Sequence, residues 1–273
     1  METDKRLNSD PVSYLGHTSS VYGPVSSWRV GQSLGIDLLL QNSICSFNCI
    51  YCQLGDIQVK TLERKIYVPT EQVEKDFKHS RWQEADIITL SGSGEPTLAL
   101  NIAEVIHFIK EYSAKPVMVL TNGTLLEDAA VRRDLMEADQ VAVKLDAATD
   151  SGLKQMNRPV AGVTLQSIVA GAVALKRDYP GKMSLQCMFM PTNFAEVDAL
   201  AALINRINPD EVQLNTPKRP YPLAWHVESR GNHGTLEYPS RKLRVVDELQ
   251  ADEIEERLAR QVSVPILSVY KKS

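Results

Sequence analysis

Apolar residues return along this chain in two alternating rhythms. Short runs rich in β-branched residues occupy 35–40 (GIDLLL), 85–92 (ADIITLSG), 115–123 (KPVMVLTNG), 140–147 (QVAVKLDA), 182–191 (KMSLQCMFMP) and 210–217 (DEVQLNTP). Between them, over 71–82, 100–112, 126–138, 164–178 and 195–207, Ile, Leu, Val and Ala recur every three or four positions. The first rhythm predicts buried strands and the second amphipathic helices. Strands that alternate with helices predict a parallel sheet joined by right-handed crossovers, an α/β fold.

Polar side chains inside the strands refine that expectation. Lys144 and Asp146 alternate with Val143 and Leu145, Gln213 and Asn215 alternate with Val212 and Leu214, and Gln186 lies between Leu185 and Cys187. A flat doubly wound sheet hides both faces beneath apolar helices. A curled sheet gives polar side chains an interior mouth, so the expectation is a partial (β/α)6 TIM-like barrel of parallel strands with a short C-terminal extension. The stretch IQVKTLERKIYVP (57–69) predicts a short hairpin. After Asn215 the rhythm breaks into a Pro-rich basic segment (217–244), then a last helix near 249–261 and an apolar tail, VPILSVY. These breaks suggest an N-terminal segment (1–30), a barrel core (31–222) and a C-terminal basic segment with its helix (223–273).

With 273 residues and 43% hydrophobic content, the chain can bury a large core. Its net charge of −4 argues against a general polyanion binder. The charge is uneven, however: 217–244 holds six Lys/Arg against two acids, a formal +4 that leaves −8 on the remainder. Two readings fit this segment. It is a solvated loop, or it covers the open face of the barrel, where Arg219, His226, Arg230 and His233 would hold a phosphate or carboxylate. No apolar run reaches membrane-spanning length, and the polar start METDKRLNSDP has no signal-peptide core, which predicts a cytoplasmic protein with no membrane partner.

The stretch ICSFNCIYCQLG (44–55) places Cys45, Cys49 and Cys52 at C-x3-C-x2-C. Cys187, in an apolar run, reads as a buried core thiol. A reducing cytosol and three crowded thiols point to metal rather than disulfides. Structural zinc sites close with four ligands, and electron-transfer clusters take four cysteines. Three thiolates suit a 4Fe-4S cubane whose fourth iron keeps vacant positions for a small chelating ligand. The alternative is a zinc knuckle completed by Cys187 or a histidine, giving a stabilised scaffold without catalytic turnover.

This triple, with an aromatic before the last cysteine and on a loop after the first strand, resembles the radical S-adenosylmethionine (SAM) superfamily. The resemblance implies that the amino and carboxylate groups of SAM chelate the open iron. One electron from the reduced cluster then splits the sulfonium bond, giving methionine and a 5′-deoxyadenosyl radical. SGSGEPTL resembles the family's Gly-Gly-Glu-like turn after the second strand, which implies that Ser93, Gly94 and Glu95 hold SAM, with Ser93 replacing the first glycine. Such a turn exposes backbone carbonyls and a carboxylate to an ammonium group, and small residues beside an acid permit that. By the same resemblance Asn122, in TNGT (121–124), lies near the methionine moiety and Tyr51 near the adenine. The stretches VYGPVSSWRVGQSLGIDLL, CSFNCIYCQLG, VKLDA, NRP and EVQLNTPKRP are similar to the prokaryotic branch grouped with the tRNA wyosine-base synthases. Unlike the archaeal wyosine enzymes, this sequence has no cysteine before Cys45 to hold a second cluster.

The expectation is thus a radical SAM enzyme that cleaves SAM reductively and abstracts hydrogen from a nucleotide or tRNA base, or from a small anionic metabolite or peptide. Lys144 and Asp146 are candidate catalytic residues, with Asp146 a candidate hydrogen-bond partner of the SAM ribose; they are equally an internal ion pair. Gln186, Gln213 and Asn215 are expected to face the substrate beneath the basic segment. Asn157-Arg158-Pro159 reads as a loop closing over the mouth, with Arg158 a carboxylate binder or a solvated arginine. The chemistry implies an external reductant such as flavodoxin or ferredoxin.

Overall fold

The computed structural model describes residues 18–231 and 238–270. The chain enters through β1 (Val21–Ser27) and returns antiparallel as β2 (Gly31–Ile36). This strand begins and ends earlier than the run at 35–40 predicts. Asp37 is the cause: its Oδ1 accepts from the backbone N–H groups of Leu39 (3.0 Å) and Leu40 (3.1 Å), turning the chain out of the sheet. Next come two-residue strands, β3 (Ile44–Cys45) and β4 (Val59–Lys60), which pair in parallel. Residues 57–69 therefore form no hairpin; their one strand is a partner for the cysteine loop.

A regular alternation follows, with α1 (Thr70–Lys78), β5 (Ile87–Leu90), α2 (Ile102–Ser113), β6 (Val117–Thr121), α3 (Ala129–Asp134) and β7 (Gln140–Lys144). It continues through α4 (Asp150–Met156), α5 (Leu165–Asp178), β8 (Lys182–Met188), α6 (Val197–Ile207) and β9 (Glu211–Asn215). The small pair β10 (Tyr221–Pro222) and β11 (Ser240–Arg241), then α7 (Glu248–Ala259) and β12 (Ile266–Ser268), complete the described chain.

Eight strands form one sheet in the order β1-β2-β5-β6-β7-β8-β9-β12, parallel throughout except for β1 against β2. All six expected strands are present, and the sheet curls into the expected partial TIM-like barrel. Two further strands extend its edges: the seven-residue β1 on one side and, on the other, part of the apolar tail, whose Ile266 pairs with Val212.

The helices follow from their apolar spacing. In α2 the residues Ile102, Val105, Ile106 and Ile109 face inward, and in α6 Val197, Leu200, Ala201, Ile204 and Ile207 do so. A capping box between Thr164 and Ser167 starts α5. These helix faces share one core with Val119, Val143 and Val212 of the strands. Since the helices cover the outer face, the alternate strand positions Lys144, Gln186 and Asn215 turn into an interior cavity of about 370 Å³.

Candidate functional site

The site is built where the parallel strands end, as expected for a barrel of this kind. Ile44, just before Cys45, is laced to the turn that follows β5. Its N–H donates to Ser93 O at 2.8 Å and its carbonyl accepts from Glu95 N at 3.0 Å. Gly94 makes this possible: its φ is +152°, and a Cβ there would lie 1.7 Å from Ile44 O. On the far side, Asn48 N donates to Asn157 O (2.8 Å), Ile50 N to Met156 O (2.9 Å) and Val160 N to Ser46 O (2.9 Å). The Asn157-Arg158-Pro159 segment is therefore packed beneath the cysteine loop rather than folded over the mouth, and Arg158 is exposed.

Cys45, Cys49 and Cys52 all line the cavity. Their sulfurs receive N–H groups: Phe47 N at 3.4 Å and Asn122 Nδ2 at 3.5 Å from Cys45, and Asn157 Nδ2 at 3.4 Å from Cys49. Burial raises the pKa of all three thiols, with Glu95 adding to the effect on Cys45 and Asp146 to that on Cys49; Cys52 is pushed up to about 12.

Glu95 is a buried junction. Its Oε1 accepts from Thr97 N (3.1 Å), Thr97 Oγ1 (2.6 Å) and Thr121 Oγ1 (2.7 Å), and its Oε2 from Asn122 N (2.6 Å). Burial raises its pKa, opposed by these four donors. Thus Glu95 ties the end of β5 to the end of β6. Ser93 Oγ donates to Asp37 Oδ2 at 2.6 Å, which gives the serine in this turn a structural role. Asn122 uses Oδ1 to accept from Thr124 N (3.0 Å) and Thr124 Oγ1 (2.8 Å), and Nδ2 to donate to Ser46 Oγ (2.8 Å).

Asp146 is a second buried hub. It accepts from the Tyr51 hydroxyl, from Asn157 Nδ2 at 2.7 Å and from Met188 N at 2.8 Å. Lys144 Nζ stands 3.7 Å from it and 5.2 Å from the centre of the Tyr51 ring. The pair has the geometry of an internal ion pair: Lys144 faces the cavity, whereas Asp146 lies behind the wall and outside the cavity lining.

A family profile for the radical SAM superfamily matches residues 42–204, a span that includes the cysteine triple, the Glu95 turn and both hubs. The chain belongs to the radical SAM superfamily. It is 41% identical over 251 residues to a UPF0026 protein of Synechocystis, covering 90% of this chain and 95% of that one. A UPF0026 protein of Methanocaldococcus jannaschii is 30% identical over 206 residues, covering 73% of this chain and 64% of its own. Among solved structures, TYW1 with a lysine-pyruvate adduct bound superposes with a TM-score of 0.59 at 15% identity, covering 86% of this chain and 76% of that one. Streptococcus suis SuiB bound to precursor peptide SuiA gives 0.61 at 13% identity and covers 83% of this chain, which spans only 47% of the SuiB chain. These two likenesses concern the fold.

Radical SAM enzymes use a 4Fe-4S cluster and SAM, and the donor set here fits such a cluster. Three thiols on the wall of one cavity supply the donor set that a cluster with one open iron needs. The N–H groups aimed at Cys45 and Cys49 are the kind of partner that stabilises cluster thiolates. Among the described residues, no three His, Cys, Asp or Glu side chains close around a single ion, as the zinc alternative requires. Cys187 is buried in the core on β8 and does not line the cavity.

The other expected residues of this radical SAM enzyme separate into two groups. Tyr51, Lys144, Gln186, Asn215 and Arg219 reach the cavity, whereas Ser93 is buried outside its lining. Burial lowers the pKa of Arg219, and its Nη2 donates to Gly231 O. Gln213 lies lower, where its Oε1 accepts from Gln186 Nε2 at 3.1 Å, and it lines a second cavity of about 210 Å³ at the amino ends of the strands. Arg230 turns away. Its Nη1 donates to Asp37 Oδ2 at 3.3 Å and Ser19 O at 3.0 Å, and its guanidinium lies over Tyr22. His226 stacks on Tyr238, outside the cavity lining, and His233 lies outside the described residues. Sequence reasoning missed Asp37 and Arg29. A lone acid in GIDLLL was the available signal for the first; the second carried none.

Proposed function

We propose that Cys45, Cys49 and Cys52 hold the cluster, that the turn at 91–95 with Asn122 and Tyr51 holds SAM, and that the remaining cavity receives an anionic substrate. The cluster and SAM together supply reductive cleavage of a sulfonium bond and abstraction of a hydrogen atom. One observation carries the substrate class. The cavity is lined by Arg29, Lys144, Lys218 and Arg219 against a single carboxylate, Glu95, whose oxygens already accept four hydrogen bonds. A wall of that sign in a chain of net charge −4 favours a negatively charged guest.

The protein residues orient and enclose. Glu95 and Gly94 lock the SAM-side turn to the cysteine loop, and Asp146 fixes both Tyr51 and Asn157. Lys144 presents its ammonium to the substrate. Walls that exclude solvent protect a hydrogen-abstracting step from competing donors. Electrons come from an external flavodoxin or ferredoxin, and a reducing cytoplasm suits the free thiols. Among the described residues no helix is long and apolar enough to cross a membrane.

A nucleotide within tRNA is the second reading. It is favoured by exposed Arg241, Lys242 and Arg244, on an arm whose Pro222 carbonyl would lie 2.7 Å from a Cβ on Gly55 of the cysteine loop. Binding of total tRNA across a salt series separates the two, because phosphate neutralisation makes affinity fall with salt. The experiment for the main reading follows 5′-deoxyadenosine and its deuterium content with deuterated candidates. Transfer from anionic candidates and none from their neutral amides is expected; transfer from the amides alone would overturn it.

A further inference from the structure

The guanidinium of Arg29 has no hydrogen bond or ion pair among the described residues; its one close companion is the Trp28 ring, 5.2 Å away. It stands in the turn between β1 and β2, level with the amino ends of the parallel strands, and lines both the main cavity and the lower one. Two acids share the lower cavity, and neither forms an ion pair with Arg29 among the described residues. Asp86 Oδ2 accepts from Gln32 N at 2.7 Å, and Glu211 pairs with Lys182 Nζ at 2.6 Å. Burial pulls the pKa of Arg29 down to about 10, so it stays charged at neutral pH. The Arg29 side chain is half-buried, and a guest that brings a carboxylate supplies the charge-assisted partner it lacks among the described residues.

The cysteines line the same cavity at the opposite, carboxyl end of the strands. We infer that Arg29 is the receptor for a carboxylate at the deep end of a small substrate, which spans the barrel interior with its reacting carbon toward the cysteine loop. This rests on the radical SAM reading above and narrows its substrate class. A planar guanidinium binds a carboxylate through two parallel N–H···O bonds. A nucleobase of an RNA would enter base first, leaving its phosphates at the rim, and would bring no anion to this depth.

The test uses the full chain, reconstituted with iron and sulfide and saturated with SAM, and titrates it calorimetrically with butyrate, butyramide and inorganic phosphate. The expected result is saturable binding of butyrate and none of butyramide. Butyrate affinity should fall about ten-fold or more in Arg29→Gln and by less in Arg29→Lys, which keeps the charge but loses the fork. Iron content and basal 5′-deoxyadenosine formation without substrate report separately on the cluster and on SAM. Their retention in Arg29→Gln shows an intact protein, and their absence from the wild type sinks the radical reading instead. Equal butyrate binding by wild type and Arg29→Gln, preference for phosphate, or loss of tRNA affinity on Arg29→Gln would each overturn the inference. Failure of the wild type to bind butyrate would do the same.

Discussion

The side-chain amide nitrogen of Asn157 donates to Asp146 Oδ2 at 2.7 Å, and the same nitrogen stands 3.4 Å from Cys49 Sγ. One amide therefore couples the hub behind the cavity wall to a thiol on it. Replacing Asn157 with Ala removes an N–H from the sulfur and a donor from a buried carboxylate. Partners at that distance from a metal ligand are worth about 10- to 100-fold in metal affinity or activity. The expected outcome is a variant that folds, takes up less iron and cleaves SAM about ten-fold more slowly. Iron analysis with a 5′-deoxyadenosine assay checks it, and wild-type values in both would show that the amide is a bystander.

The closeness of Gly94 to Ile44 gives a stability prediction. A Cβ at Gly94 would meet a backbone carbonyl at 1.7 Å, whereas at Gly162, also at positive φ, it would meet nothing within 4 Å. Gly162→Ala should therefore cost only the backbone strain, about 1 kcal/mol. Gly94→Ala must also push the cysteine loop off the turn, at about 3 kcal/mol or more. Urea unfolding of the two variants compares them directly, and similar midpoints would mean the loop is not fastened there.

Arg230 was a candidate for the substrate, but it meets Asp37 inside the protein. Side-chain exposures of 9% and 0% make this a buried pair, and removing one partner of such a pair typically costs about 3–5 kcal/mol. Arg230→Met should lower the urea midpoint accordingly while leaving butyrate affinity unchanged. A variant of normal stability with weakened substrate binding would return Arg230 to the substrate.

Alkaline pH should destabilise the fold partly through Tyr22. Burial raises its pKa to about 12, from the ordinary value of 10.0, against a hydrogen bond with Ser91. Above pH 10 the unfolded chain releases this proton while the folded chain retains it, so stability falls as pH rises from 10 toward 12. The contribution is on the order of 2 kcal/mol. Tyr22→Phe should show a shallower decline in unfolding free energy between pH 9 and about 11, measured by denaturant titration at each pH. An identical slope would assign the decline to other groups.

The fold was legible because its strands and helices differ in period, and because Lys144, Gln186 and Asn215 break apolar strands at the period of two that a concave face requires. Three features escaped. The strand at 266–268 is too short to carry a period, Asp37 ends β2 by a side-chain turn inside an apolar run, and 57–69 pairs with distant residues rather than with itself. At the site, the cysteine spacing and the turn at 93–95 stand out in the sequence because local backbone geometry constrains both, and the structure joins them through Ile44. Arg230 and His226 were misleading because charge count says nothing about which partner a side chain finds. Arg29 was silent for the opposite reason: its meaning lies in the absence of a described partner for its guanidinium, which only three dimensions show.

The central claim is that three thiolates hold a cluster that delivers an electron to SAM. Its most direct measurement is anaerobic reconstitution of the wild type and of Cys49→Ala with iron and sulfide, followed by reduction with SAM and quantification of 5′-deoxyadenosine. The account predicts a brown wild-type protein that forms 5′-deoxyadenosine and a Cys49→Ala variant that forms none. A colourless wild type, or a variant that cleaves SAM as the wild type does, would contradict it.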